Sequence, residues 1–300
     1  MSGAAGSYYL PEPSKWPAVG SIGLFLTTGG FAYALTSGTD GSLGSMAIMY
    51  VGLAIMAYML FGWFSQVIEE SEAGNYNAQV DTSFRMGMMW FIFSEVMFFA
   101  AFFGALFYAR QLSGPWLAGE GNNLLTNTLL WSDFKFNWPM LDMPGDKSAA
   151  GAAFSQPSGV IGAWGVPFYN TLILLASGVT VTWAHHALKK GNRQQLILGL
   201  FLTVLLGFIF VFFQAEEYIE AYTQLNLKLD SGIYGSTFFM LTGFHGLHVT
   251  IGAIMLLVMM FRSMKGHFTP KQHFAFEAAA WYWHFVDVVW LGLFVVVYWL

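Results

Sequence analysis

Glu95 is the lone carboxylate of residues 90–103, WFIFSEVMFFAAFF, a run of apolar and aromatic side chains within a segment long enough to cross a bilayer. Near the centre of the hydrocarbon a carboxylate costs at least about 2.5–3.5 kcal/mol, so it must face protein, water or a polar lipid group. Other groups of the same chemical kind recur further on. His245 and His248 are spaced i, i+3, which sets both rings toward one face of a helix. His284 and Asp287 repeat that spacing, Glu277 stands ahead of them, and His185 and His186 sit side by side.

Histidine and carboxylate ligate iron or zinc, so these histidines with Asp287 and Glu277 could be drawn as an intramembrane metal site. A di-metal site in a helix bundle, however, uses Glu-x-x-His on two helices and a further Glu on each of two others. No Glu-x-x-His occurs here. The competing reading is hydrogen bonding between helices, and it applies to His245, His248, His284 and Asp287 as polar groups within the membrane. His185 and His186 precede Lys189 and Lys190, where rings and amines are expected to reach lipid headgroups. Glu216 and Glu217 are expected to be solvated at the end of the fifth apolar segment, and Glu277 to complement the dipole at the start of the seventh. Ser94 points to a different helix face from Glu95 and has no evident base. There is no G-x-S-x-G elbow, phosphate loop or dinucleotide fingerprint, which argues against an enzyme acting alone.

The elements that must position these groups are set by composition. Of 300 residues, 56% are hydrophobic and only 10% charged, against about a quarter charged in soluble domains, so lipid is the solvent for most of the chain. A net charge of −5 with sparse charges leaves no basic footprint for nucleic acid, and the absence of cysteine excludes disulfides and thiolate chemistry. Seven apolar segments, 17–35, 46–68, 86–109, 167–188, 196–215, 236–261 and 278–300, are each long enough to span as a helix. The expected class is therefore an all-α integral membrane protein.

The N-terminal residues lack the basic and apolar regions of a signal peptide. With the N-terminus inside, the inner loops and span ends carry Lys15, Arg85, Lys189, Lys190, Arg193, Arg262, Lys265 and Lys271. The outer ones then carry Arg110, Lys135, Lys147 and Lys228. That imbalance favours N-inside and C-outside. The chain is expected to divide into residues 1–110 with spans one to three, an outer loop 111–165, and residues 166–300 with spans four to seven. A loop of that length is functional, partner-bound or mobile. Its Trp116, Trp131, Trp138 and Trp164 suit an interfacial aromatic layer. Gly20, Gly23, Thr27, Gly30 and Ala34 form a smooth stripe on the first span, and Gly243, Gly246 and Gly252 repeat the theme on the sixth.

Four strings carry a resemblance to a known family: FRMGMMWFIFSEVMFF (84–99), NTLILLASGVTVTWAHHAL (170–188), YGSTFFMLTGFHGLHVTIG (234–252) and FEAAAWYWHFVDVVW (276–290). In that order they resemble subunit III of cytochrome c oxidase, in the heme–copper oxidase superfamily, and the likeness covers nearly the whole chain. It implies seven transmembrane helices, with a lipid-filled V-shaped cleft separating helices 1–2 from a bundle of helices 3–7. It also implies an accessory subunit with no metal, no cofactor and no catalytic residue of its own. The heme and copper belong to subunits I and II, whose oxygen reduction and proton pumping the accessory subunit supports. The partners implied are subunit I as main contact, subunit II, bound phospholipids, and cytochrome c as electron donor to the complex. Glu95 matches the family's acid near the cleft, Trp63 an aromatic residue beside it, and Arg262 a basic position associated with a lipid headgroup.

One departure concerns the end of the second span, where the family places arginines and a histidine around a headgroup phosphate. This chain reads WFSQVIEESEAGNYN (63–77), with Ser65, Glu69 and Tyr76 at those places, so either the lipid is held differently, for example by Arg85 and backbone groups, or its headgroup is not the family's usual one. The loop 111–165 is larger than in compact members, which points to a lineage-specific contact on the outer face. A subunit III of a quinol oxidase often lacks the first two spans, so their presence favours the cytochrome c type. A rival from another class is a free-standing metalloenzyme using His245, His248, His284 and Glu95. The absence of paired broken helices and of repeat symmetry speaks against a transporter. A bacterial cytoplasmic membrane is favoured over the mitochondrial inner membrane.

Overall fold

A computed structural model describes residues 9–36, 43–144 and 156–300, and among these every regular element is helical. The expectation for the first residues of the N-terminus and the outer charge of Lys147 lie outside the described residues. Among the described residues, seven helices are long and apolar enough to cross a membrane. In chain order the elements are α1 (Trp16–Thr36), α2 (Leu43–Glu72), α3 (Ala78–Tyr108), a π turn (Ala109–Ser113), α4 (Gly114–Leu117), α5 (Leu124–Leu130), α6 (Val166–Lys189), α7 (Arg193–Thr223), α8 (Ile233–Lys265) and α9 (Phe274–Leu293), which ends in a second π turn (Phe294–Trp299).

The helices run past the apolar windows read from the sequence. Backbone hydrogen bonding persists where side chains turn polar, so hydropathy marks the lipid-facing part and not the helix end. Thus α3 begins at Ala78, where the Asn77 side chain accepts from the backbone N–H groups of Gln79 and Val80. Likewise α7 begins at Arg193 behind an Asn192 cap and continues to Thr223. The third span also extends through the π turn and α4 to Leu117, so the segment expected as loop from 111 starts as helix and contains α5 as well.

The chain divides into two compact units, Met1–Met86 and Gly87–Leu300. In the first, α1 and α2 pack antiparallel, because Gly20 meets Met59, Gly23 meets Met56 and Gly30 meets the Met49 backbone. A Cβ added at Gly30 would lie 2.4 Å from the Met49 backbone nitrogen, so the predicted smooth stripe is a helix–helix contact. Near the start of α1, the Trp16 indole N–H donates to Gln66 Oε1 at 2.9 Å. Gln66 in turn donates to Glu70, which accepts from the Tyr76 hydroxyl at 2.8 Å.

In the second unit α6, α7, α8 and α9 pack as a four-helix bundle, α6 against α7 and α9, and α8 against α7 and α9. Its centre is aromatic. Trp283 and Trp290 are fully buried, and their indole N–H groups donate to Ser177 Oγ and Thr171 Oγ1 on α6, each at 2.9 Å. Room for Trp283 comes from two glycines: a Cβ at Gly207 would lie 2.7 Å from the ring and one at Gly252 2.9 Å. Thr180 with Thr203, and Tyr218 with Thr242, add side-chain hydrogen bonds of 2.7 Å across helix pairs. Buried indoles with satisfied N–H groups bring large packing area without an orphaned donor.

Candidate functional site

Glu95 and His248 meet across α3 and α8, with Oε2 to Nε2 at 2.9 Å. The other ring nitrogen of His248, Nδ1, lies 2.6 Å from the carbonyl oxygen of Phe244. A carbonyl only accepts, so Nδ1 carries a hydrogen. A hydrogen bond between Glu95 Oε2 and His248 Nε2 then has its hydrogen on one of those two atoms. This histidine is the polar protein group that Glu95 faces. Phe99 packs edge-on to the His248 ring at 5.0 Å, and Tyr282 lies parallel to it at 6.3 Å. The Glu95 side chain nevertheless keeps 22% exposure, and its α3 neighbours Phe91, Val96 and Met97 are exposed apolar groups. Ser94 spends its hydroxyl on the Phe91 carbonyl.

The remaining predicted polar groups do not converge on that pair. His245 is fully buried and directs Nε2 to the Val286 carbonyl at 3.2 Å, with its ring against Trp290 and Phe210. His284 contacts Thr182 Oγ1 through Nε2 at 3.2 Å and Asp287 through Nδ1 at 3.5 Å. The Asp287 carboxylate fits because α6 offers Gly178 there, whose absent Cβ would be 2.6 Å from Oδ2. Trp63 is half exposed and stacks on Phe64, while Arg85 pairs with Asp81 one turn back. Arg262 is buried, with its guanidinium 4.6 Å over the Phe268 ring.

Two expectations are corrected. His185 does not reach out toward headgroups; it turns inward, 3.3 Å from Glu277, with its ring against His273 and Phe276. The reason is that α9 begins beside the end of α6 and supplies a carboxylate closer than solvent. His186 bonds back to the Thr182 carbonyl of its own helix. Glu217 is not solvated: it is 1% exposed and accepts from the Tyr298 hydroxyl at 2.5 Å and from Gln214. Because α7 continues past Ala215, Glu217 faces the last turn of the chain instead of a loop.

Residues that could hold a divalent cation are His185, His273 and Glu277, whose ligand atoms lie within 4.8 Å of one another. His273 was passed over in the sequence, although its i, i+4 spacing to Glu277 was the available signal. At this end of the bundle Arg193 donates to the Ser263 carbonyl at 2.9 Å and to that of Met264, so a side chain from α7 closes the C-terminus of α8. Tyr76, noted in the sequence only as a departure from the family's anchor, lies outside the spans and bonds to Glu70. Burial, and then the Glu70 carboxylate beside it, raises its hydroxyl pKa above the ordinary value.

Comparison with known proteins bears on this arrangement as a whole. A family model described as Cytochrome c oxidase subunit III matches residues 6–119 and 147–300. Cytochrome c oxidase subunit 3 of Marchantia polymorpha is 43% identical over 295 residues, covering 97% of this chain and 96% of the relative. Those of Pongo abelii and Squalus acanthias are each 41% identical over 302 residues, covering 100% of this chain and 99% of the relative. Matches of this extent include α3 with Glu95 and α8 with His248, and the chain belongs to the cytochrome c oxidase subunit III family.

Proposed function

We propose that this subunit of cytochrome c oxidase is an accessory, non-redox one, which supports oxygen reduction and proton pumping by subunits I and II through bound phospholipids and stabilisation of the catalytic subunit. The observation that carries the oxidase assignment is the full-length family match. On this reading the heme and copper sit in the partner subunits, no catalytic site lies in this chain, subunit I is the main contact, and cytochrome c supplies electrons to the complex. Ring nitrogens of His245, His248 and His284 lie against protein groups, which suits structural roles.

Helices 1–2 and the bundle of helices 3–7 border a lipid-filled V-shaped cleft in this proposal, with Glu95, Trp63, Arg85 and Arg262 beside it. Partial exposure of Glu95, Trp63 and Arg85 supports lipid contact. Arg262 supports it least, being covered by Phe268. The N-terminus is inside and the C-terminus outside, a bacterial cytoplasmic membrane is favoured, and segment 111–165 faces outward. Consistent with one outer end, Arg110 donates to the Leu300 carbonyl at 2.6 Å, so the C-terminal part of the third span and the end of the chain meet.

The test is replacement of Glu95 and of Arg262 by Ala in the intact oxidase, with bound phospholipid weighed and inactivation followed during turnover. Loss of lipid with faster inactivation is expected. Unchanged lipid together with unchanged inactivation sinks the lipid role while leaving the family assignment in place.

A further inference from the structure

The end of α6 and the start of α9 bring together three ligand-type groups that the accessory role leaves unused. His273 and Glu277 stand one turn apart where α9 begins, and His185 reaches them from α6. The Nε2 atoms of His185 and His273 each lie 3.3 Å from the same oxygen, Glu277 Oε1. Both nitrogens are buried, and among the described residues neither makes a hydrogen bond.

The other nitrogen of His273 places its hydrogen. Nδ1 lies 3.1 Å from the Thr269 carbonyl oxygen, which only accepts, so Nδ1 carries the hydrogen and the neutral ring offers a bare lone pair at Nε2. That lone pair faces a carboxylate oxygen, and His185 Nε2 faces the same one. Electron-rich atoms this close are held together by something positive between them. Donation of the second ring N–H to a backbone carbonyl is also how metal-binding histidines are oriented. The Thr269 carbonyl is itself fixed, because it accepts from the Gln272 N–H in a turn that Thr269 Oγ1 also closes.

Two imidazoles and one carboxylate suit a borderline metal such as zinc, whereas magnesium and calcium take oxygen ligands. Ligand atoms about 2.0–2.1 Å from a tetrahedral zinc stand about 3.3–3.4 Å apart, and the two separations on Glu277 Oε1 match that edge. The three side chains, in the order His185, His273 and Glu277, keep 20%, 8% and 11% exposure, so they are covered but within reach of an ion. We propose that His185, His273 and Glu277 form a zinc site that clamps the end of α6 to the start of α9, with the fourth position open to water. This site is independent of the lipid role of Glu95.

The test uses the intact oxidase, dialysed against EDTA and then given zinc chloride or magnesium chloride. Acylation of histidine nitrogens by diethylpyrocarbonate, located by peptide mass spectrometry, reads the site in the unaltered protein. Zinc is expected to protect His185 and His273 while the more exposed His284 reacts as before; magnesium protects none of them. Equal acylation of His185 and His273 with and without zinc overturns the proposal, and is the result if a proton alone sits between the rings and Glu277. In a second arm, equilibrium dialysis with zinc compares the unaltered oxidase with His273→Ala and Glu277→Gln. Each substitution removes a ligand and should weaken one zinc equivalent by at least the about 10–100-fold that loss of an outer-shell partner costs. Unchanged zinc binding in both variants also overturns the proposal.

Discussion

The α1–α2 pair and the α6–α9 bundle are built from side chains of similar hydropathy but hold together differently. Within the apolar windows of α1 and α2 only 11% of residues are buried inside the chain, against 33–56% for α6 to α9. The pair meets along one narrow seam of small residues. The bundle has a centre of its own, filled by Trp283 and Trp290 with their indole donors satisfied. In lipid the hydrophobic effect does not press helices together, so packing area and hydrogen bonds decide which of them cohere. The lesson is that the bundle is self-supporting, whereas the pair depends on close backbone approach and on whatever covers its outer faces.

Four tests address that contrast, read in the intact oxidase by heat-induced loss of this chain and by hydrogen exchange of its peptides. Trp283→Ala removes one of the two fully buried indoles and its hydrogen bond to Ser177 Oγ; a loss of about 3–5 kcal/mol is expected, with faster exchange in α6 to α9. Exchange rising equally in α1 and α2 would erase the distinction. Gly30→Val forces branched carbon toward the Met49 backbone, costing about 1–3 kcal/mol by overpacking and loosening α1 and α2 while the bundle stays protected. A neutral outcome would mean that the seam is not a tight contact.

The third test is a double-mutant cycle on Glu95→Ala and His248→Ala. It should return a coupling near about 0.6 kcal/mol and no more than about 1.7. Zero coupling would falsify the Glu95–His248 hydrogen bond. Smallest is Gly29→Ala, where nothing lies within 4 Å of the new methyl group; a change within about 0.5 kcal/mol is expected. A large one would show that another surface packs on that face.

Much of the scaffold was legible in the sequence, and for a physical reason. A backbone in hydrocarbon must satisfy its own hydrogen bonds, so a run of apolar residues of sufficient length leaves few alternatives to a helix. The stripe through Gly23 and Gly30 was legible too, because close approach demands small side chains at fixed spacing. The His245 and His248 spacing was visible but not its outcome. Residues three apart sit about 60° apart around the axis, enough to send one ring to α9 and the other to α3. Glu217 was misread because hydropathy ended α7 early, and His185 because local sequence offered Lys189 and Lys190 but not the Glu277 that meets it in space.

By itself, then, the sequence determined that this is a seven-span helical membrane protein, which stretches face lipid, and, through its motifs, the family it resembles. Those properties depend on local composition and order. Only the tertiary structure decided that Glu95 meets a histidine 153 residues away, that Gly178 makes space for Asp287, and that the Asn127 side chain donates back to the Leu117 carbonyl. Each of these depends on which helices become neighbours, which packing geometry sets and hydropathy does not encode.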